Sequence, residues 1–394
     1  MKRILFFAEA VTLAHVARCV TLADYLFNTG NYDIALAADS RYDEILGGLN
    51  YRRIPLQSIS CQYFLNKISK GDPIYSVEIL SDYVNEDLKI IEEFKPDFIF
   101  GDFRLSLAIS SQLAKIPYAT ITNAYWSPYA DIGYPIPEMP LTKIFGVTLA
   151  QKLFNLVRPI VFKLHSVAFN KTCKKFGVPP LNQDMREVYT HADYTLYADI
   201  ESLVPMKALP SNHLFIGPVL WSARVALPVW WYQLPVDKSV VFVTLGSSGD
   251  SSLLPMILEA LSELPVTVVC VTAKLANVTE RYENVYIADF LPADEAVRKS
   301  DVVICNGGSP MVYQSLVENK AVIGIPCNLD QYLMMSILVA ANKGEMIRAG
   351  KANVKLIREA VSKALKNQET QGKLGQEAKE TYFAVERLIE LVAK

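Results

Sequence analysis

The sequence predicts an α/β protein made of two domains, each a parallel sheet wound on both faces by helices. Short apolar runs alternate with helical patterns along the chain, which is typical of parallel strands buried between helices. This alternation occurs in two series, separated by a proline-rich stretch. With 394 residues, the chain is also longer than one hydrophobic core ordinarily supports. We therefore expect two doubly wound, Rossmann-like domains.

The first series contains strands and helices in alternation. The predicted strands are Ile4–Ala8, Ile34–Ala38, Phe98–Gly101 and Tyr118–Thr122. The predicted helices are His15–Phe27, Ile74–Phe94 and Ser106–Ala114. The first apolar run follows Lys2 and Arg3, as in a signal peptide, but Glu9 leaves it too short for that role. We interpret it as a buried strand and expect a cytoplasmic protein.

The second series begins after the prolines. Its predicted strands are Val240–Leu245, Val266–Val271, Val285–Ala288, Val302–Cys305 and Ala321–Ile325, with long helices at Val354–Lys366 and Glu369–Val392. Four prolines and three tryptophans between residues 209 and 235 indicate an extended connection that lies against a domain surface. The predicted organisation is an N-terminal domain at 1–215, a linker at 216–238, a second domain at 239–370 and a terminal helix at 371–394.

Composition excludes several classes of protein. A net charge of −2 provides no basic excess for nucleic acid. The six cysteines and four histidines have no metal-ligand spacing, so we expect no metal. No uncharged apolar run is long enough to predict a transmembrane segment. The helix-like segment Lys143–Phe176 has two interpretations, contact with a membrane surface or a packed helix pair with a solvated edge, and the second is favoured.

Three predicted strands of the second series end in glycine-rich or polar turns. These turns are Gly246-Ser247-Ser248, Asn306-Gly307-Gly308-Ser309 and Asp330-Gln331. Glycines allow a ligand to approach the backbone, and Ser309 followed by Pro310 is typical of a helix start with Ser309 as the N-cap. Backbone N–H groups at a helix start bind phosphate, whereas a carboxylate and an amide suit sugar hydroxyls. Because the carboxyl ends of parallel strands meet at one edge, the pattern indicates a nucleotide-sugar site.

The order of these motifs resembles the donor domain of GT-B glycosyltransferases, in particular UDP-glycosyltransferases and bacterial macrolide or antibiotic glycosyltransferases. The resemblance rests on these three turns together with Phe290-Leu291-Pro292 and Gln314, and it extends over nearly the whole chain. It implies the GT-B fold, in which two Rossmann-like domains face a cleft and the C-terminal helix crosses back to the N-terminal domain.

The resemblance also implies which residues bind the donor. Asn306, Gly308 and Ser309 would contact the diphosphate, Gln314 the ribose, and Asp330 with Gln331 the sugar. The implied donor-binding set is Gly246, Ser247, Ser248, Leu291, Asn306, Gly307, Gly308, Ser309, Gln314, Asp330 and Gln331. The chain departs from the family's pattern where it has Asn for His, Pro for Gly, Met for Thr and Gln for Glu, at positions 306, 310, 311 and 314. These substitutions fit an atypical subgroup as well as a site that has lost part of its function.

His15 and Asp102 are the predicted catalytic pair. His15 lies just after the first strand, and Asp102 ends another strand of the same series. The resemblance implies that His15 is the general base that deprotonates the acceptor hydroxyl, for which imidazole has a suitable pKa. A carboxylate on the other ring nitrogen would orient the ring, and Asp102 matches that role. Arg104 is close enough in sequence that we expect it to compete for Asp102.

An aromatic, proline-containing loop follows the strand that ends at Thr122. Loops at this place in the resembled family shape the acceptor pocket, which implies acceptor-binding roles for Asn123, Tyr125, Trp126 and Tyr129. Aromatic walls favour an apolar or ring-containing acceptor. The alternative, aromatic packing at a domain interface, is equally consistent with the residues.

Together these observations predict an inverting, metal-independent glycosyltransferase without a cofactor. It would move a sugar from a UDP- or dTDP-sugar to a hydroxyl of a small apolar or aromatic acceptor, with lipid-like molecules among the candidates. Peripheral membrane contact stays open. The alternatives are a catalytically impaired nucleotide-sugar binding protein, a partner subunit of a separate transferase, and a sugar-nucleotide epimerase. An epimerase would need acidic residues around the donor sugar, whereas the predicted base lies in the other domain.

Overall fold

The computed structural model describes residues 1–276, 278, 281–367 and 383–393, with only the backbone described at 383–385. Within this part of the chain the strands are β1 Lys2–Ala8, β2 Tyr32–Ala38, β3 Arg52–Pro55, β4 Phe98–Asp102, β5 Tyr118–Thr122, β6 Tyr194–Tyr197, β7 His213–Phe215, β8 Val240–Thr244, β9 Thr267–Val271, β10 Val285–Ala288, β11 Val302–Cys305, β12 Ala321–Gly324 and β13 Gly344–Met346. They form two sheets, in which all strand pairs are parallel.

Helices connect the strands in both sheets. They are α1 Leu13–Asn28, α2 Asp43–Leu46, α3 Cys61–Lys70, α4 Val77–Phe94, α5 Leu107–Ala114, α6 Pro140–Lys175, α7 Met185–Thr190, α8 Leu254–Ser262, α9 Ala293–Lys299, α10 Ser309–Val317, α11 Leu329–Ala340, α12 Val354–Asn367 and α13 Phe383–Ala393. Side chains on both faces of the central strands are buried, as in a sheet covered by helices on each side. The α/β fold class predicted from the sequence is confirmed.

The strand order places two candidate sites. The first sheet has the order β3-β2-β1-β4-β5-β6-β7, and the second has β10-β9-β8-β11-β12-β13. In each, the order reverses between two adjacent strands, β1 and β4 in the first sheet and β8 and β11 in the second. Ligands of doubly wound sheets bind beyond the carboxyl ends of the strands at this reversal. The turns after these four strands are therefore where function is expected.

The chain divides into two compact units. The first unit comprises Met1–Gly133, Leu141–Val219 and Glu380–Lys394, and the second comprises Tyr134–Pro140 and Leu220–Lys379. Helix α13 belongs to the first unit, where Lys2 Nζ donates to the carbonyl oxygen of Val392 at 2.7 Å. Residues 369–382 of the predicted terminal helix lie outside the described part of the chain, and α13 corresponds to its remainder.

A short segment of the N-terminal half clusters with the second unit. The sequence assigned all of residues 1–215 to the N-terminal domain, whereas Tyr134–Pro140 groups with the second unit. Arg348 explains the difference, because its guanidinium donates to the carbonyl oxygens of Ile136 and Pro137 and pairs with Glu138 at 3.0 Å.

The predicted elements are present, with small differences at their ends. All nine predicted strands occur and begin or end within two residues of the predicted positions. Strands β3, β6, β7 and β13 were not predicted, because runs of three or four residues carry little periodicity. Helix α10 begins at Ser309 with Gly308 as its N-cap, so the prediction that Ser309 is the N-cap was wrong by one residue.

Helix α6 is mostly exposed, contrary to the favoured prediction of an ordinary packed helix pair. By length and composition alone it could cross a membrane, with a mean hydropathy of 1.2 over its most apolar window and 6% of that window buried. It is the one such helix among the described residues. Its backbone breaks at Gly146, where a φ of 69° interrupts the helical conformation.

A buried acidic and basic cluster joins the ends of β1 and β4 to α4. Glu9 accepts hydrogen bonds from Arg104 Nη1 and from the Tyr83 hydroxyl, both at 3.1 Å. Arg104 also binds Asp87 at 3.0 Å and Glu86 at 2.9 Å. Burial raises the pKa of Glu9 to about 7, although Arg104 acts in the opposite direction. The carboxyl ends of these two strands are thus held together by a group that titrates near neutral pH.

Glu9 makes stability depend on pH. In the folded protein the pKa of Glu9 lies above its ordinary value of 4.5. The contribution of Glu9 to the free energy of unfolding is therefore fully present below pH 4.5 and is lost as the pH rises through about 7. The pKa difference corresponds to about 3 kcal/mol of unfolding free energy. Urea denaturation of the wild type and of Glu9→Gln between pH 4 and about 8 measures this component, because the variant lacks it. Parallel stability curves for the two proteins would contradict the assignment.

Candidate active site

The imidazole of His15 lies against the carboxylate of Asp102 at the reversal of the first sheet. Asp102 ends β4, and His15 occupies the first turn of α1, which follows β1. His15 Nδ1 is 2.7 Å from Asp102 Oδ1. The side chain of His15 remains 17% exposed, whereas that of Asp102 is buried. The predicted pair is therefore formed, with one ring nitrogen held by the carboxylate and the ring partly open to solvent.

A buried arginine completes this arrangement. Arg18 donates through Nε to Asp102 Oδ2 at 2.7 Å and through Nη2 to Asp102 Oδ1 at 2.9 Å. Although burial alone would lower it, the Asp102 carboxylate raises the pKa of Arg18 above its ordinary value. Two parallel hydrogen bonds between a guanidinium and a carboxylate fix both groups in one geometry. Arg18 therefore balances the charge of the Asp102 carboxylate and fixes the orientation in which it contacts His15.

Arg18, and not Arg104, is the arginine that binds Asp102. The expectation that Arg104 competes for this carboxylate was wrong, because the Arg104 side chain is occupied by Glu9, Glu86 and Asp87. The sequence contained a signal for Arg18, since residues three apart on a helix share a face and Arg18 follows His15 by three positions.

Phe103 supports the imidazole from one face. Its ring stacks on His15 with a centroid distance of 4.8 Å and an interplanar angle of 10°. The backbone of Phe103 has a φ of 57°, in the left-handed region that a bulky side chain rarely adopts. Such a conformation costs about 1 kcal/mol or more and persists where the surroundings impose it. The turn after Asp102 is therefore strained in a way that positions a ring against His15.

The hydrogen-bond network continues into the predicted acceptor loop. Arg18 Nη1 donates to Asn123 Oδ1 at 2.9 Å, and Asn123 Nδ2 donates to Asp199 Oδ1 at 2.9 Å. Asp199 also accepts from the backbone N–H of Ala124 at 2.5 Å. Asn123 is thus committed to holding the loop start beside Asp102. Asp199 was missed because it follows β6, a strand that the sequence did not reveal.

The aromatic residues of this loop have different degrees of exposure. Tyr125 is fully buried. Trp126 is partly exposed and packs edge-on against Tyr189 at 5.7 Å, and Tyr129 packs edge-on against His213 at 5.3 Å. Trp126 and Tyr129 are therefore the members of the predicted acceptor set with ring surface available to a ligand, and the acceptor-binding role of all four residues stays a prediction.

In the second unit, Ser248 joins three of the predicted donor-binding turns. Asn306 Nδ2 lies 3.4 Å from Ser248 Oγ, and Gln331 Nε2 donates to the Ser248 carbonyl oxygen at 3.1 Å. The paired residues Thr244, Cys305 and Gly324 end the adjacent strands β8, β11 and β12 at one level. The turns after these strands meet as predicted.

Asn306 shapes its own turn. Its Oδ1 accepts the backbone N–H of Gly308 at 3.1 Å, so the amide holds the turn that leads into α10. Gly307 has a φ of 79°, and a Cβ placed there would lie 2.4 Å from Met335 Cγ. Both glycine conformation and glycine size are therefore required at position 307.

The remaining predicted donor-binding residues differ in exposure and in the contacts that they make. The side-chain Oε1 of Gln331 accepts from the Cys327 backbone N–H at 2.9 Å, so this side chain holds two turns together. Gln314 and Leu291 are buried. Asp330 is partly exposed in the first turn of α11. Contact of these residues with ribose or sugar stays a prediction.

Comparison with known proteins gives the family. Residues 240–390 match the model of the glycosyltransferase family 28 C-terminal domain. A "PGL/p-HBAD biosynthesis glycosyltransferase" of Mycobacterium tuberculosis is 42% identical over 368 residues, which are 93% of this chain and 86% of that protein. This chain belongs to the GT-B glycosyltransferases. A "PGL/p-HBAD biosynthesis rhamnosyltransferase" of Mycobacterium bovis is 41% identical over 93% of this glycosyltransferase and 82% of the relative.

A solved structure with low sequence identity has the same fold. The spinosyn rhamnosyltransferase SpnG complexed with thymidine diphosphate aligns over 100% of both chains, with a TM-score of 0.67 and 15% identity. The GT-B assignment made from the turns after β8, β11 and β12 is therefore confirmed for this glycosyltransferase. At that level of identity the likeness concerns the fold alone.

The turn at Gly307 provides a test of the site's construction. Gly307→Ala is expected to lower the unfolding free energy of the glycosyltransferase by about 2 kcal/mol, because the added methyl group meets Met335 and the residue has a positive φ. Chemical denaturation measures the loss. Gly133→Ala is the matched control, since nothing lies within 4 Å of a Cβ there. Equal stability of the two variants would show that the turn tolerates a side chain.

Proposed function

We propose that this glycosyltransferase is an inverting, metal-independent enzyme that transfers a sugar from a nucleoside diphosphate sugar to an acceptor hydroxyl. His15 acts as the general base. Its Nδ1 faces Asp102, so the proton on Nδ1 donates to the carboxylate and Nε2 is the nitrogen that accepts the acceptor's proton. The resulting oxygen nucleophile attacks the anomeric carbon as the bond to the diphosphate breaks, which inverts the configuration there.

The second unit is proposed to bind the donor through the turns that meet at Ser248. The first N–H groups of α10 lack partners within the helix, and the positive end of the helix dipole stabilises the negative charge of the departing diphosphate. Pro310 removes one of these donors, and Asn306 takes the N–H of Gly308. The site therefore has fewer backbone donors than the glycine-rich sequence suggests, and Ser247 and Ser248 are expected to contribute hydroxyl donors.

We favour a thymidine diphosphate deoxysugar, with rhamnose as the sugar. Support comes from the relative named as a rhamnosyltransferase and from the thymidine diphosphate in the SpnG complex. A further SpnG structure is a complex with spinosyn aglycone, which supports a small-molecule aglycone as the acceptor. The exposed ring surface of Trp126 and Tyr129 is consistent with such an acceptor. The observation that carries the proposal is the buried Arg18–Asp102 pair that orients His15.

Replacing His15 separates catalysis from donor binding. His15→Ala is expected to lower kcat for transfer from dTDP-rhamnose to a panel of phenols and apolar alcohols by about 10²- to 10⁴-fold, because the base is lost. Its thermal stabilisation by thymidine diphosphate should equal that of the wild type, since ligand binding stabilises by mass action. His191→Ala is the matched control, since His191 bonds Gln112 and lies outside the network around Asp102.

The outcomes of this experiment are distinct. Full transfer activity in His15→Ala would refute the base assignment, and absence of any stabilisation by thymidine or uridine diphosphate would refute the donor. All assays contain EDTA, so a metal requirement would appear as absence of turnover in the wild type. Conversion of the donor without acceptor to an epimeric sugar nucleotide would identify an epimerase.

Arg18 is proposed as a positioning residue whose charge restrains the effect of Asp102 on His15. In Arg18→Gln the amide still donates to Asp102, but the carboxylate charge is no longer balanced and stabilises a protonated imidazole more strongly. The low-pH limb of the kcat/KM profile is therefore expected to move upward by about one pH unit. Arg18→Lys retains the charge and serves as the control. An unshifted limb in Arg18→Gln would show that Arg18 has only a structural role.

A further inference from the structure

One face of α6 exposes a continuous apolar stripe. Beyond the break at Gly146 the exposed apolar side chains recur at intervals of four or three residues, which places them on one side of the helix. They are Leu149, Leu153, Leu156, Ile160, Leu164 and Val167, and the exposed Val157 lies next to Leu156 at the edge of the stripe. Leu156 is 75% exposed and Ile160 is 60% exposed. At 1.5 Å per residue the stripe is about 27 Å long, an extent of exposed apolar surface that usually marks an interaction site.

The opposite face of the helix is anchored in the first unit. Phe162, Phe169 and Cys173 are buried, and Phe169 and Cys173 belong to the hydrophobic core of that unit. The Trp126 ring lies 6.5 Å from the Phe162 ring. Since one face packs against protein along the C-terminal half of the helix, α6 is arranged to lie on a surface and not to cross a bilayer.

The charges of α6 are of one sign. Residues 140–175 contain six lysines and one arginine and no aspartate or glutamate, although the whole chain carries a net charge of −2. Lys152 and Lys163 are each three or four residues from members of the stripe, so they flank it. Lys171 and Lys174 continue the same spacing beyond Val167, so the exposed face changes from apolar to cationic toward its C-terminal end.

This combination selects an anionic lipid surface over other partners. A long apolar stripe with lysines beside it is the pattern of helices that lie in the membrane interface, where the apolar side enters the acyl boundary and the cations contact lipid phosphates. A second copy of this chain would present the same cationic face, and like charges would oppose that association.

We propose that α6 docks the first unit onto an anionic bilayer. Leu156 and Ile160 insert at the boundary between headgroups and acyl chains, and Lys152, Lys163, Lys171 and Lys174 contact anionic headgroups. The helix lies in the unit that contains His15 and the predicted acceptor loop, so docking would bring that unit to membrane-embedded acceptors. The docking itself does not depend on the proposed transfer chemistry.

Vesicle co-sedimentation of the full chain tests this proposal. The wild type is expected to sediment with vesicles of phosphatidylglycerol and phosphatidylcholine in equal parts, and to be released by high salt. The double variant Leu156→Asp, Ile160→Asp should bind at least about tenfold more weakly, because the apolar anchor is lost. Lys152→Glu with Lys163→Glu should weaken binding to these vesicles by about 25-fold or more, since each cation is worth about fivefold.

Matched controls lie in the linker of the second unit. Val236→Asp replaces another exposed apolar residue, and Lys238→Glu reverses another exposed cation, and both should bind like the wild type. Thermal stabilisation by thymidine diphosphate, measured on every variant, shows whether the fold is retained and reports on donor binding separately. Absence of sedimentation in the wild type, or equal sedimentation of the stripe variants, would overturn the proposal. Self-association that the stripe variants abolish, without vesicle binding, would assign the face to a second copy and also overturn it.

Discussion

The buried ion pair between Arg18 and Asp102 is the interaction on which the candidate site of the first unit depends. A carboxylate without solvent is costly unless it is paired, and the guanidinium satisfies both of its oxygens. With Asp102 fixed by β4 and Arg18 by α1, His15 has a rigid partner. The same guanidinium holds Asn123 at the start of the next loop. One cation therefore sets the geometry of His15 and of the loop predicted to receive the acceptor.

In the second unit, neutral side chains hold together the turns of the predicted donor site. Ser248, Asn306 and Gln331 connect the turns after three strands through amide, hydroxyl and backbone hydrogen bonds. Two of the side chains that resemblance assigned to ligand contact are thus also structural. Asn306 holds its own turn, and Gln331 joins the turns around Cys327 and Ser248. The asparagine at position 306 of the glycine-rich motif has such a structural role, because its Oδ1 accepts the N–H of Gly308 and stabilises the turn.

The charged side chains discussed for the first unit lie in two environments, two buried clusters and one exposed helix. Arg104 with Glu9 and Asp87 links the ends of β1 and β4 to α4. Arg18 with Asp102 serves the site itself. The cations of α6, by contrast, face outward beside apolar side chains. In the two arginine clusters around Arg104 and Arg18 the charges are paired inside the protein. Where acids are absent over 36 consecutive residues, the charge is directed toward an external partner.

The sequence by itself determined the two-sheet α/β class, nearly all of the central strands and the turns that follow them, because buried parallel strands are continuous apolar runs and glycine-rich turns are local signals. It also identified His15 with Asp102, each beside a strand end. Tertiary structure alone decided that Asp199 holds Asn123 and that Gln331 binds Ser248. The spacing of Arg18 from His15 was visible in the sequence, but only the fold showed that Arg18 and not Arg104 binds Asp102. These choices depend on which strands lie side by side, and the order β3-β2-β1-β4 is a long-range property without a local signature. The exposure of α6 was mispredicted for the same reason, since an apolar stripe looks the same in a sequence whether protein or another medium covers it.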